Sequence, residues 1–140
     1  MTNSKMFDLS GKVAVVTGGS RGIGRSICEQ MAAHGAKVVV SSRKLPACEE
    51  VVEGIKAKGG EATAVAASIS DKAQLEALVA FARKTYGKID IMVCNAACDP
   101  GSFARDARAL QDAGYRLEKL KAIDQFLWSG HVEAIALFVK

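Results

Sequence analysis

Directly after the apolar run Val13-Ala-Val-Val16 comes Thr17-Gly-Gly-Ser-Arg-Gly-Ile-Gly24, and no other feature narrows the folding options of this chain as far. An apolar run that breaks into glycines and resumes with helical spacing at Ile23, Ile27 and Met31 reads as a strand, a tight turn and a helix N-terminus. Each glycine of the turn has a physical task. Gly18 permits the sharp reversal, Gly22 keeps a Cβ away from an approaching ligand, and Gly24 lets the helix pack close to the sheet. A helix that starts this way points unpaired N–H groups and its positive dipole end at a diphosphate. The bland alternative is a glycine-rich connection with nothing bound.

The rest of the chain repeats the strand and helix alternation. Short Val/Ala/Ile-rich runs near 12–17, 37–42, 61–67 and 89–94 predict strands, and helical spacing predicts helices near 23–34, 46–58 and 71–86. Gly35, Gly59 and Gly87 stand where helix C-caps are wanted, and Asp71 stands as an N-cap. Strands without polar alternation, separated by helices, predict a parallel sheet covered on both faces, and right-handed crossovers give the order 3-2-1-4.

A chain of 140 residues, 49% hydrophobic, is expected to form one domain, with no apolar run near the roughly 20 residues of a membrane span. The polar start Met1-Thr-Asn-Ser-Lys-Met6 has no signal-peptide core, so a cytoplasmic location is expected, with no membrane partner. The net charge of +4 arises wholly in residues 1–97, which is too mild for a nucleic-acid arm and suits a phosphorylated small ligand. Cys28, Cys48, Cys94 and Cys98 lack paired zinc spacing and read as reduced core or helix residues, so no metal site is expected.

The spacing T-G-x-x-x-G-x-G resembles the cofactor loop of the short-chain dehydrogenase/reductase family. Asp90-Ile-Met-Val-Cys-Asn-Ala-Ala97 resembles that family's fourth strand and Asn-Ala-Gly segment, with Ala97 replacing the glycine. Residues 1–97 therefore resemble the dinucleotide-binding half of such an enzyme. The resemblance implies a nicotinamide dinucleotide held by Gly18, Ser20, Arg21, Gly22, Ile23, Gly24 and Asn95. An acid at the end of the second strand would mark NAD(H). Here that strand ends in Ser41-Ser-Arg-Lys44, so Ser42, Arg43 and Lys44 suit a 2′-phosphate and favour NADP(H), unless the two cations are merely solvated loop charges. Ser68-Ile-Ser70 departs from the acidic residue that the family places near the adenine.

The larger departure begins near residue 98. Cys98-Asp-Pro-Gly-Ser-Phe-Ala-Arg-Asp106, Gly114-Tyr-Arg-Leu-Glu-Lys-Leu120, Asp124-Gln-Phe126 and His131-Val-Glu133 resemble the C-terminal end of the bacterial RNA uridine-5-methyltransferases. The chain thus reads as a chimera, recombined by nature or by engineering. The resemblance implies a helix over 102–113, a strand over 115–123 and an antiparallel last strand over 132–139 that inserts beside the fourth. The expected fold is a three-layer Rossmann-like sandwich, order 3-2-1-4-6-5, in one domain over residues 1–140.

Catalysis is a separate question. Tyr115-x-x-x-Lys119, with Ser102 thirteen residues upstream, has the spacing of the reductase triad, in which Tyr donates a proton, Lys lowers its pKa and Ser orients the carbonyl. Gly114, however, ends a helix and makes Tyr115 the start of a strand, where residues four apart are about 13 Å apart against about 6 Å on a helix. Glu133 matches the methyltransferase base, but that family's nucleophile and S-adenosylmethionine loops are missing, so Glu133 and His131 read as vestigial and S-adenosylmethionine is not expected. The apolar turn Phe126-Leu-Trp-Ser-Gly130 reads as packing on the sheet end, a cover for the cofactor pocket, or a self-association patch. Three functions stay open: an NADP(H)-binding domain without turnover, a miniature NADP-dependent reductase using Ser102, Tyr115 and Lys119, and a domain that binds nothing.

Overall fold

The computed structural model describes residues 5–97, 100–123 and 133–139. Strands β1 (Val13–Thr17), β2 (Lys37–Ser42), β3 (Glu61–Ala66) and β4 (Ile91–Ala97) alternate with helices α1 (Gly22–Ala33), α2 (Leu45–Ala57) and α3 (Lys72–Tyr86). Helix α4 (Pro100–Asp112) and strands β5 (Arg116–Ile123) and β6 (Glu133–Val139) follow. A short 3-10 turn at Lys5–Phe7 has no counterpart in the sequence expectations.

The six strands form one Rossmann-like sheet in the order β3-β2-β1-β4-β6-β5. β1 to β4 are parallel, and β6 runs antiparallel to both β4 and β5. The reversal follows from chain length: only residues 124–132 join β5 to β6, and a parallel crossover needs a dozen or more. The apolar turn Phe126–Trp128, His131, Cys98 and Asp99 lie outside the described residues.

Helices cover the sheet on both sides, which is why β1 is buried at every position and apolar up to Thr17. Val15, Leu78, Met92, Leu110 and Phe138 pack on the α3/α4 side, and Val16, Cys28, Val40, Val51 and Ile55 on the α1/α2 side. Helix α1 meets the sheet differently from its apolar pattern. Gly24, Cys28 and Ala32 form its buried row, while Ile27 and Met31 flank the contact half-buried. The small side chains let α1 lie closer to the sheet than a row of isoleucines would allow.

Local chemistry sets the helix ends as expected at two sites. Asp71 caps α3, its Oδ1 accepting the Gln74 N–H at 3.3 Å, and Gly87 closes that helix in the left-handed region at φ 81°. Cys28 and Cys48 are buried without a disulfide; burial first, then the neighbouring Cys48 and Glu29, pushes the Cys28 thiol up to about 12, so it stays protonated at neutral pH. Among the described residues no helix is long and apolar enough to cross a membrane.

Asp90 fastens the entry of β4 to that of β1. Its backbone N–H donates to the Val13 carbonyl at 2.9 Å, its Oδ2 accepts the Val13 N–H at 2.9 Å, and Lys88 Nζ lies 3.0 Å from the same oxygen. Burial pushes this carboxyl up, but the Val13 N–H together with Lys88 and Lys12 outweighs it and holds the group below its ordinary value. A carboxyl lowered by folding stabilises the protein above its unfolded pKa and loses that contribution as pH falls through the folded value. Asp90→Asn is therefore expected to cost about 1 kcal/mol at pH 7 and to flatten the stability profile below about pH 4. Urea unfolding at several pH values checks it; parallel profiles for the two proteins would remove Asp90 from the account.

Candidate functional site

The β1–α1 turn is a backbone site at the carboxyl edge of the sheet. Gly18 and Gly22 take positive φ values of 63° and 57°, and a Cβ on Gly22 would have nothing within 4 Å. Gly24 is the opposite case: a Cβ there would collide with the Gly18 carbonyl and the Asn95 amide. Thus Gly22 keeps the outer surface of the turn clear, and Gly24 lets the helix close against it.

Arg21 is the N-cap of α1 in extended conformation, and no side chain caps the helix. The first-turn N–H groups therefore face outward with the positive end of the helix dipole, an arrangement that holds an anion. Contrast α3, whose N-terminus is closed by Asp71.

Asn95 and Thr17 stiffen the turn from below. Thr17, 3% exposed, donates its hydroxyl to the Val93 carbonyl at 3.3 Å and accepts the Asn95 N–H at 3.1 Å. Asn95 Nδ2 donates to the Gly18 carbonyl at 3.3 Å, while its buried Oδ1 has no hydrogen-bond partner among the described residues. A buried acceptor without a donor is uncommon in folded proteins and accords with a group bound nearby. Sequence reasoning passed over Thr17 and Gly19, whose added Cβ would lie 2.9 Å from Cys28 Sγ. The signal for Thr17 was a hydroxyl at the end of an otherwise apolar strand.

A second hollow, about 510 Å³, opens where β2 meets α2, lined by Arg43, Lys44, Leu45, Pro46, Ala47 and Glu50. Helix α2 likewise starts without a side-chain cap. Ser42 is engaged locally: its hydroxyl accepts the Lys44 N–H at 3.2 Å and lies 3.1 Å from Cys48 Sγ. Arg25 bridges the two helices, reaching Glu29 at 3.0 Å and Glu50 at 3.3 Å, so Glu50 is already occupied by a cation. Arg43 and Lys44 have no ion-pair partner among the described residues.

Ser102, Tyr115 and Lys119 are not brought together. Ser102 lies in the first turn of α4, at the carboxyl edge, and Tyr115 follows the other end of a helix roughly 20 Å long. Tyr115 is 3% exposed and packs in the core beside Leu78, Leu110 and Phe138. The Leu117/Lys119 bulge then puts exposed Lys119 opposite Leu137, on the other sheet face from Tyr115 and Leu117. Glu133, the first residue of β6, pairs with Ile123 at the carboxyl edge. No group of three His, Cys, Asp or Glu able to hold a metal occurs among the described residues.

Residues 12–116 match the family model described as short chain dehydrogenase. Tropinone reductase-like 3 of Erythroxylum coca is 36% identical over 99% of this chain and 50% of its own length. The crystal structure of hydroxysteroid dehydrogenase from Escherichia coli superposes with a TM-score of 0.66 at 42% identity, over 68% of this chain and 40% of that one. A metagenomic short-chain oxidoreductase solved in complex with NADP gives a TM-score of 0.58 at 38% identity, over 60% of this chain and 38% of that one. This chain spans half or less of the length of the relatives it matches.

Proposed function

This chain belongs to the short-chain dehydrogenase family, and from that premise we propose that it forms the NADP(H)-binding half of an oxidoreductase of that class. The observation that carries the reading is the uncapped α1 N-terminus with clear space over Gly22 and the partnerless Asn95 Oδ1 beneath it. Backbone groups from Gly18 through Gly24, with Ser20, Arg21 and Ile23 between the glycines, hold the pyrophosphate. Asn95 keeps the turn in shape and offers its carbonyl oxygen to a donor. Arg43 and Lys44, beside Ser42, hold a 2′-phosphate, since no carboxylate ends β2. When bound, the nicotinamide supplies or takes up a hydride.

A narrower version takes residues 98–140 as a segment resembling a methyltransferase ending; the antiparallel β6 between β4 and β5 accords with it and is equally demanded by the short connection 124–132. On that version a recombined segment closes the sheet of a dehydrogenase half, and the chain binds NADP(H) without using Ser102, Tyr115 and Lys119 as a triad. The alignment of tropinone reductase-like 3 over nearly the whole chain, and over half of its own length, speaks for the alternative, a miniature NADP-dependent oxidoreductase.

Calorimetric titration with NADPH, NADH and S-adenosylmethionine tests the reading. NADPH is expected to bind at least about tenfold tighter than NADH, a difference of about 1.4 kcal/mol, with no heat from S-adenosylmethionine. Carbonyl-dependent NADPH oxidation, where found, is expected to be unchanged in Tyr115→Phe. Turnover lost in that variant while NADPH still binds would restore the triad, and absence of dinucleotide binding in the folded protein would end the reading.

A further inference from the structure

Helices α3 and α4 stand apart on their face of the sheet, with a cavity of about 740 Å³ between them. One wall is Leu75, Val79 and Ala80 of α3, the other Ala109 and Leu110 of α4 with Ala113 just beyond it, and Met92 and Cys94 form the floor. The gap has a sequence cause: the α4 side meets it with alanines, whose single methyl groups do not reach the facing helix. The volume is that of a small-molecule site, and apolar walls shed water without specifying orientation.

Charge at the rim supplies the orientation. Lys72 lies 3.9 Å from Glu76, and Arg108 lies 3.1 Å from Asp112, so these cations are matched on their own helices. Arg83, also on the rim, has no carboxylate within ion-pair reach among the described residues. It stands toward the amino edge of the sheet, remote from the glycine turn. From Leu75 to Arg83 the helix rises about 12 Å, the reach of roughly ten methylenes.

We infer that this cleft binds an alkyl carboxylate of the medium-chain fatty-acid class, its chain along Leu75, Val79, Ala109 and Met92 and its carboxylate on Arg83. The far end of the cavity reaches Thr17, Ile69 and Ser70 at the carboxyl edge; the alkyl site takes the end beside Arg83 and does not depend on the dinucleotide reading. A guanidinium matches a carboxylate in a bidentate pair, and an alcohol of the same length forgoes it. Each buried methylene tightens binding up to about fourfold.

The test titrates the full chain with decanoate, dodecanoate, dodecanol and dodecyltrimethylammonium below their micelle-forming concentrations. Dodecanoate is expected to bind with a 1:1 stoichiometry, several-fold tighter than decanoate and at least tenfold tighter than the trimethylammonium compound. Arg83→Glu should weaken dodecanoate at least tenfold and leave dodecanol unchanged. Ala109→Phe, which fills the cleft from an exposed position, should abolish both, and Ala80→Phe from the opposite wall serves if the first variant fails to fold. No saturable binding, binding that survives the filled cleft, or a dodecanoate affinity indifferent to Arg83→Glu overturns the proposal.

Discussion

Gly24→Ala is expected to abolish measurable NADPH binding and to destabilise the fold by about 3 kcal/mol, at the upper end of the cost of overpacking. The added methyl would collide with the Gly18 carbonyl and the Asn95 amide, neither of which can swing away as a flexible side-chain end would. Gly18 is fixed by its own turn, and Asn95 is fixed by its N–H bond to Thr17 and its Nδ2 bond to that same carbonyl. Helix α1 must therefore back off from the sheet, uncovering Cys28 and Ala32 and turning its N-terminus away from the anion position. Gly22→Ala is the informative control. Its methyl has open space around it, so the stability cost is only the left-handed φ of 57°, about 1 kcal/mol. It would nevertheless occupy the clear space over the turn, so binding is lost with little loss of stability. Urea unfolding and calorimetry on both variants separate the two glycines. A Gly24→Ala protein of native stability that still binds NADPH would show that the turn is not the tight closure described above.

That contrast marks how far the sequence could be read. The spacing of the three glycines was legible because each answers a backbone requirement, and the same holds for Asp71 and Gly87 at the ends of α3. The order 3-2-1-4 was legible because right-handed crossovers leave few ways to lay parallel strands, whereas the places of β5 and β6 were expected only from a resemblance. What the pattern concealed depends on contacts between distant segments. The buried row of α1 is Gly24, Cys28 and Ala32, although Ile23, Ile27 and Met31 carry the hydrophobicity, because the distance between helix and sheet is set by the smallest residue. The orphaned Asn95 Oδ1 and the matching of Arg25 with Glu50 join residues far apart in sequence and have no local signature. Tyr115 shows the converse. Its spacing to Lys119 and Ser102 imitates a catalytic set; Gly114 already argues for a strand from Tyr115, and the course of α4 and the bulge in β5 complete the separation.

Arg43→Asp is expected to lower NADPH affinity about a hundredfold, roughly 3 kcal/mol, and to raise NADH affinity a few-fold, reversing the preference. The surroundings of residue 43 set the size of the effect. Helix α2 begins at Leu45 with Pro46 in its first turn and no side-chain cap, so its N-terminal dipole already favours an anion in the hollow. Arg43 adds a planar guanidinium that no carboxylate occupies, whereas Glu50, the acid lining the same hollow, is engaged by Arg25. A charge-assisted bond to phosphate contributes about 1.5–3 kcal/mol, and the introduced carboxylate adds repulsion to that loss. Without the phosphate, the same carboxylate can accept the ribose hydroxyls, which is the source of the gain for NADH. Ser42→Ala should matter less, because the Ser42 hydroxyl is already bonded to the Lys44 backbone and lies against Cys48. Raising the salt concentration should erode the native preference for NADPH while leaving NADH almost unaffected, since only the former depends on an exposed charge pair. Calorimetry on the native protein and both variants at two salt concentrations decides it: a preference that survives Arg43→Asp would move the phosphate away from the end of β2, with Arg21 the next cation to replace.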